Sequence, residues 1–116
     1  MNKNIDYLLN KFIKYAKIQG ECTYNGDYRK GNMASKKLFK IKKLIKNDDT
    51  LCKDIIDKLI CSDEINVLIW ICGIAIEVNY KKDKAEAILT DISENKKNGI
   101  LGANAEMILK IQNGDW

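Results

Sequence analysis

The 116-residue chain has no proline, no histidine and, among 20 basic residues, a single arginine, Arg29. Chains of short strands and tight turns usually place proline at the turns, so its absence leans toward helices. Without histidine no Ser-His-Asp or Cys-His set can form, and the commonest general base and metal ligand are both missing. One arginine is little for nucleic-acid recognition, which favours its bidentate phosphate contacts. There is no glycine-rich phosphate loop: Gly20, Gly26 and Gly31 are sparse and precede no strand pattern. The carboxylate pairs Asp48-Asp49 and Asp63-Glu64 sit at expected helix starts, where capping and dipole effects account for them. These absences lead to the expectation of a chain that is not an enzyme and uses no cofactor, metal or small-molecule substrate.

The four cysteines, Cys22, Cys52, Cys61 and Cys72, form no CxxC pair. Cys52 and Cys72 lie among apolar residues and read as small core fillers. The opening MNKNIDYLLNKF has no continuous apolar stretch of the secretory kind. The longest apolar run, Val67 to Ile76, is broken by Gly73 and is too short to span a bilayer. A reducing cytoplasm without disulfides is the expectation.

Hydrophobic periodicity predicts six helices in one domain, residues 1–116. The first covers Ile5 to Ile18, with Ile5, Leu8, Leu9, Phe12, Ile13 and Ala16 as its stripe and Gly20 as its stop. The second covers Asp27 to Lys46, capped by Asn25 or Asp27. Its expected buried stripe is Tyr28, Met33, Ala34, Leu38, Ile41, Leu44 and Ile45, with Phe39 off-centre and partly exposed. The third, Leu51 to Ile60, is capped by Asp49 or Thr50, and its Asp54 and Asp57 are expected to pair with Lys53 or Lys58. The fourth, Glu64 to Val78, is apolar almost all round and so is buried on more than one side. Gly73 within it is read as a point of close helix approach. A buried strand over Val67 to Ile76 is the rival reading of this segment. The fifth and sixth helices run from Lys82 to Ser93 and from Ile100 to Gln112, and Trp116 is a candidate to fold back over an exposed end.

A self-match in the second half organises these helices. A shift of about 33 residues superposes Cys52 on Ala85, Ile55 on Ile88, Ile56 on Leu89, Leu59 on Ile92, Val67 on Ile100, Leu68 on Leu101 and Ile74 on Met107. Each unit reads as two helices that cannot bury their apolar faces alone. The predicted fold is all-α: a right-handed α-α superhelix of about three helical hairpins, HEAT- or armadillo-like. Such an array presents a surface and encloses no reaction chamber.

Net charge is +4, with the excess concentrated in Lys36, Lys37, Lys40, Lys42, Lys43 and Lys46. A solvated lysine face explains this run, and nucleic-acid binding through it is the alternative. Tyrosine and tryptophan are enriched at interface hot spots. The candidate partner-binding residues are Tyr24, Asp27 and Tyr28 at the first turn, Asp63 and Asn66 at the start of the fourth helix, Trp70 within it and Tyr80 after it. For Trp70, plain core packing is the competing explanation.

The segment GECTYNGDYRKGNMASKKLFKI (Gly20 to Ile41) resembles a small bacterial family of proteins of unknown function with an armadillo/HEAT-like superhelix, through Gly20, Gly26, Asp27, Lys30 and Asn32. LIWICGIAI (Leu68 to Ile76), KAEAIL (Lys84 to Leu89) and GANAEMIL (Gly102 to Leu109), the last carrying Asn104, Ala105 and Glu106, extend the resemblance over nearly the whole chain. Such proteins are similar to immunity proteins of bacterial toxin systems, including contact-dependent inhibition. The resemblance implies a cytoplasmic protein that binds a cognate toxin domain, commonly a nuclease, and does no chemistry itself.

Overall fold

The computed structural model describes residues 2–114. Six helices follow one another: α1 (Asn2–Asn25), α2 (Tyr28–Lys46), α3 (Asp49–Leu59), α4 (Ile65–Glu77), α5 (Lys82–Glu94) and α6 (Gly99–Asn113), with a short 3-10 turn at Lys96–Asn98. Among the described residues there is no strand, and Val67 to Ile76 is helix. Trp116 lies outside the described residues.

Short polar side chains set the starts of α2 and α3. Asp27 caps α2 by accepting the Lys30 N–H at 3.2 Å. Asp48, one residue before the two predicted caps, does the same for α3 through Leu51 N–H at 3.1 Å. Asn79 ends α4 in the left-handed conformation (φ 57°). The N–H groups of Asn79 and Tyr80 there return to the carbonyls of Ile76 and Ala75, satisfying two otherwise orphaned acceptors.

The expected stop of the first helix at Gly20 is wrong. α1 continues to Asn25 because Gly20 is a packing position: a Cβ built there would meet the Asn66 Cβ at 3.0 Å. The missing side chain lets α1 cross α4 closely, and that contact outweighs glycine's helix cost of about 1 kcal/mol.

The central element is α4, which packs on α1, α3, α5 and α6. Its near-continuous apolar sequence follows, and Val67, Ile71, Cys72, Ile74 and Ala75 are buried. Cys52 and Cys72 are core fillers, and burial pushes the Cys72 thiol up to about 12. Side-chain bonds tie the helix ends together at two places. The Tyr24 hydroxyl donates to the Asn98 carbonyl, tying the α1–α2 turn to the α5–α6 connection. At the second place Lys46 meets Glu77 at 3.2 Å, tying the close of α2 to the close of α4. α1 also touches α3 and α6, so the first hairpin reaches the third. The radius of gyration, 13.5 Å, matches the roughly 13 Å of a compact domain of this length.

α2 departs from its predicted stripe. Ala34, Leu38, Ile41 and Ile45 are buried, whereas Tyr28, Met33 and Leu44 are exposed. α2 packs mainly on α1 and α3 and meets α4 only through side chains on its flank, so it buries one narrow row and leaves much of its flanks open. Phe39 is exposed as its off-centre position predicts.

Candidate functional site

α4 has one side that its neighbours leave uncovered. A groove of about 490 Å³ runs along it, walled by α2 and α6. Its floor is Ile69, Trp70, Gly73 and Ile74; Phe39 and Lys42 come from α2, and Met107, Ile108 and Ile111 from α6. Phe39, Met107 and Ile111 are 55%, 58% and 50% exposed. Three large apolar side chains around one concavity form a patch, which differs from the scattered exposed residues of ordinary surfaces.

Side-chain bonds fix the two ends of the groove. At one end Asn66, only 6% exposed, donates both to the Ala16 carbonyl and to Gln19 Oε1 at 2.6 Å. Trp70 Nε1 donates to the same Gln19 oxygen at 3.3 Å. Trp70 also meets Phe39 edge-on, with ring centroids 5.3 Å apart. At the other end Glu77 receives Lys42 at 2.6 Å and Lys46 at 3.2 Å. Burial opposes the charge on Glu77, but the bonds from the two lysines prevail and hold its carboxyl below the ordinary glutamate range. Beyond Phe39 and Glu77 lies a second hollow of about 500 Å³, lined by Lys40, Lys42, Lys43, Lys46 and Asn47.

Gly73 does not mark a close helix approach. The nearest atom to a Cβ built there is Ile108 Cδ1, at 3.9 Å, an ordinary contact. The residue widens the groove floor instead.

The seven candidate contact residues do not form one surface. Asn66 and Trp70 lie together in the groove. Tyr24, Asp27 and Tyr28 are exposed at the α1–α2 turn, where the Tyr24 hydroxyl is taken by Asn98 and the Asp27 carboxylate by its cap. Asp63 is exposed in the α3–α4 connection. Tyr80 is half-buried in the α4–α5 connection, where its hydroxyl donates to Asp57 at 3.0 Å. Asp57 pairs with Lys81 at 2.7 Å instead of with Lys53 or Lys58, and Lys53 pairs with Asp49. Hydrogen bonds from Lys81 and Tyr80 hold the Asp57 carboxyl below its usual range, and the same bonds raise the Lys81 and Tyr80 values.

Sequence reasoning missed the groove walls. Phe39 was the available signal, a large apolar residue off the buried stripe, but nothing local tells that Met107 and Ile111 lie across from it. Among the described residues no three His, Cys, Asp or Glu side chains come together as a metal site. No helix among the described residues is long and apolar enough to cross a membrane. Comparison of the chain with protein-family models, with curated proteins and with solved structures finds no match.

Proposed function

We propose that this chain is a protein-binding module that grips its partner through the groove between α2, α4 and α6. In cells we assign it the role of an immunity protein, which binds a cognate bacterial toxin domain, a nuclease by preference, and covers its active site or substrate surface. The observation that carries the binding reading is the open apolar groove, with Phe39, Met107 and Ile111 half-exposed around it. An apolar concavity with a polar rim is what a protein interface offers before it is filled. The assignment to toxin immunity rests on the sequence resemblance, as does the cytoplasmic location.

Within this reading the three hairpins form a short right-handed superhelix of the HEAT or armadillo kind. One feature supports that finer description: α2 and α4 run in the same direction, since Phe39 meets Trp70 while Lys46 meets Glu77. The groove would then be the inner face of the array, made by the second helix of each hairpin.

The alternative, nucleic-acid binding by the lysines of α2, has less support, because Glu77 neutralises part of the charge of Lys42 and Lys46. Co-expression provides the test. A toxin-like protein encoded beside this chain should kill cells when expressed alone and fail to kill when the chain is present. Equal killing in both cases rules out the immunity role, and a low-salt mobility shift with duplex or single-stranded oligonucleotides would favour the alternative.

A further inference from the structure

The groove and the lysine hollow are neighbours with a shared wall: Phe39, Lys42 and Glu77 line both. One side of that wall is apolar. On the other, Lys40, Lys42, Lys43 and Lys46 face a single carboxylate, Glu77. Among the described residues Lys36, Lys40 and Lys43 have no acidic partner. A ligand that follows both surfaces must carry apolar groups along one line and negative charge beside it.

The dimensions select the form of that ligand. Along α4 the groove extends from Asn66 to Glu77, twelve residues whose eleven steps of 1.5 Å rise about 16 Å. That is three turns of a helix, enough for anchors at i, i+4 and i+7. No strand edge exists among the described residues to receive an extended peptide by backbone pairing. The groove is itself a gap between helices, where a further helix can seat its side chains between those of α2 and α6.

We infer that the groove takes an amphipathic helix of a partner protein, with three apolar anchors on α4 between Phe39 and Met107 and an acidic flank over Lys40 and Lys43. This inference rests on the protein-binding reading and specifies the chemistry of the partner. Phe39 is the ridge that separates the apolar row from the acidic one, so it sets the register of the docked helix. The lysines speed encounter and fix orientation, and the apolar row supplies most of the affinity.

The test uses three fluorescein-labelled helical peptides of equal length and fluorescence polarisation against the full chain. The first has Leu at i, i+4 and i+7 with a Glu flank; the second keeps Leu and replaces Glu by Lys; the third keeps Glu and replaces Leu by Ser. The first should bind at least tenfold more tightly than either of the others and weaken as salt rises. Phe39→Ser and Met107→Ser should each reduce its binding about tenfold, and Lys40→Glu with Lys43→Glu several-fold. Circular dichroism of each variant confirms that the helices persist.

Four results would overturn the inference: no binding of the first peptide, equal binding of the lysine peptide, equal binding of the serine peptide (a bare polyanion site), or a self-associated chain that the peptide does not dissociate. Co-expression separates this outcome from failure of the broader reading. If the wild-type chain protects cells and Phe39→Ser protects equally well, the immunity role stands and the helix-in-groove inference falls. If the wild-type chain does not protect, the immunity role falls whatever the peptides do.

Discussion

α4 meets its surroundings in two contrasting ways. Where α1 crosses it, Gly20 brings the backbones together, a Cβ would lie 3.0 Å from that of Asn66, and the Asn66 amide donates two hydrogen bonds. Where α2 and α6 flank it, Gly73 has nothing nearer than Ile108 at 3.9 Å, and apolar side chains stand half-exposed. Both sites hold a helical glycine in the same small core. One is a finished contact, with polar groups paired and space filled. The other is unfinished, an apolar surface that the packing of the helices leaves open.

Substitutions can break or sharpen that contrast. The largest effect belongs to the closed core. Ile71 is completely buried, so Ile71→Ala should cost about 2–5 kcal/mol of stability, read as a drop in urea midpoint at unchanged slope. Gly20→Ala should come next, at about 1–2 kcal/mol net, because overpacking of the α1–α4 crossing outweighs alanine's better helix propensity. A midpoint equal to wild type would mean that the crossing is loose and the contrast misplaced.

Glu77 closes the far end of the open side, against the lysines of α2, and its effect depends on pH. Its folded-state value is lowered by Lys42 and Lys46, so the unfolded chain takes up its proton first. The stabilisation is therefore complete above the ordinary glutamate value of about 4.3 and disappears as pH falls through the lower folded-state value. Glu77→Gln should reduce stability at pH 7 by about 1 kcal/mol or less, and the gap between variant and wild type should close in acid. A gap that is unchanged at low pH would show that the ion pairs are not its source.

Gly73→Ala is the smallest change and has the opposite sign. With open space at the site, alanine's better helix propensity should raise stability by about 0.5–1 kcal/mol. A loss there would mean that the groove floor is tighter than the 3.9 Å spacing indicates.

Periodicity made the six helices legible in the sequence, and the all-round apolar character of Ile65 to Ile76 marked the central one. The 33-residue offset is instructive about the limits. Across α3 and α5 it superposes buried on buried or half-buried residues, as in Cys52 on Ala85 and Ile56 on Leu89. Across α4 and α6 it does not: Val67 and Ile74 are buried, whereas their counterparts Ile100 and Met107 are exposed. The residue types match, but α4 packs on α1, α3, α5 and α6, and α6 on fewer helices. Burial at a matched position depends on the elements that pack around it, which local pattern does not encode. Gly20 and the flanks of α2 have the same explanation, since a helix stop or a buried stripe read locally was decided by a distant element. Trp70 and Asn66 were legible as residues of interest, whereas the groove around them became visible only when α2 and α6 were in place.

Co-expression of any toxin-like protein encoded beside this chain with a Phe39→Ser/Met107→Ser double variant is the decisive measurement for the proposed binding through the groove, provided that variant unfolds within about 1 kcal/mol of wild type. Cells protected by the wild-type chain should die when the double variant replaces it. Full protection by a folded double variant would contradict the claim that the chain binds through the open side of α4.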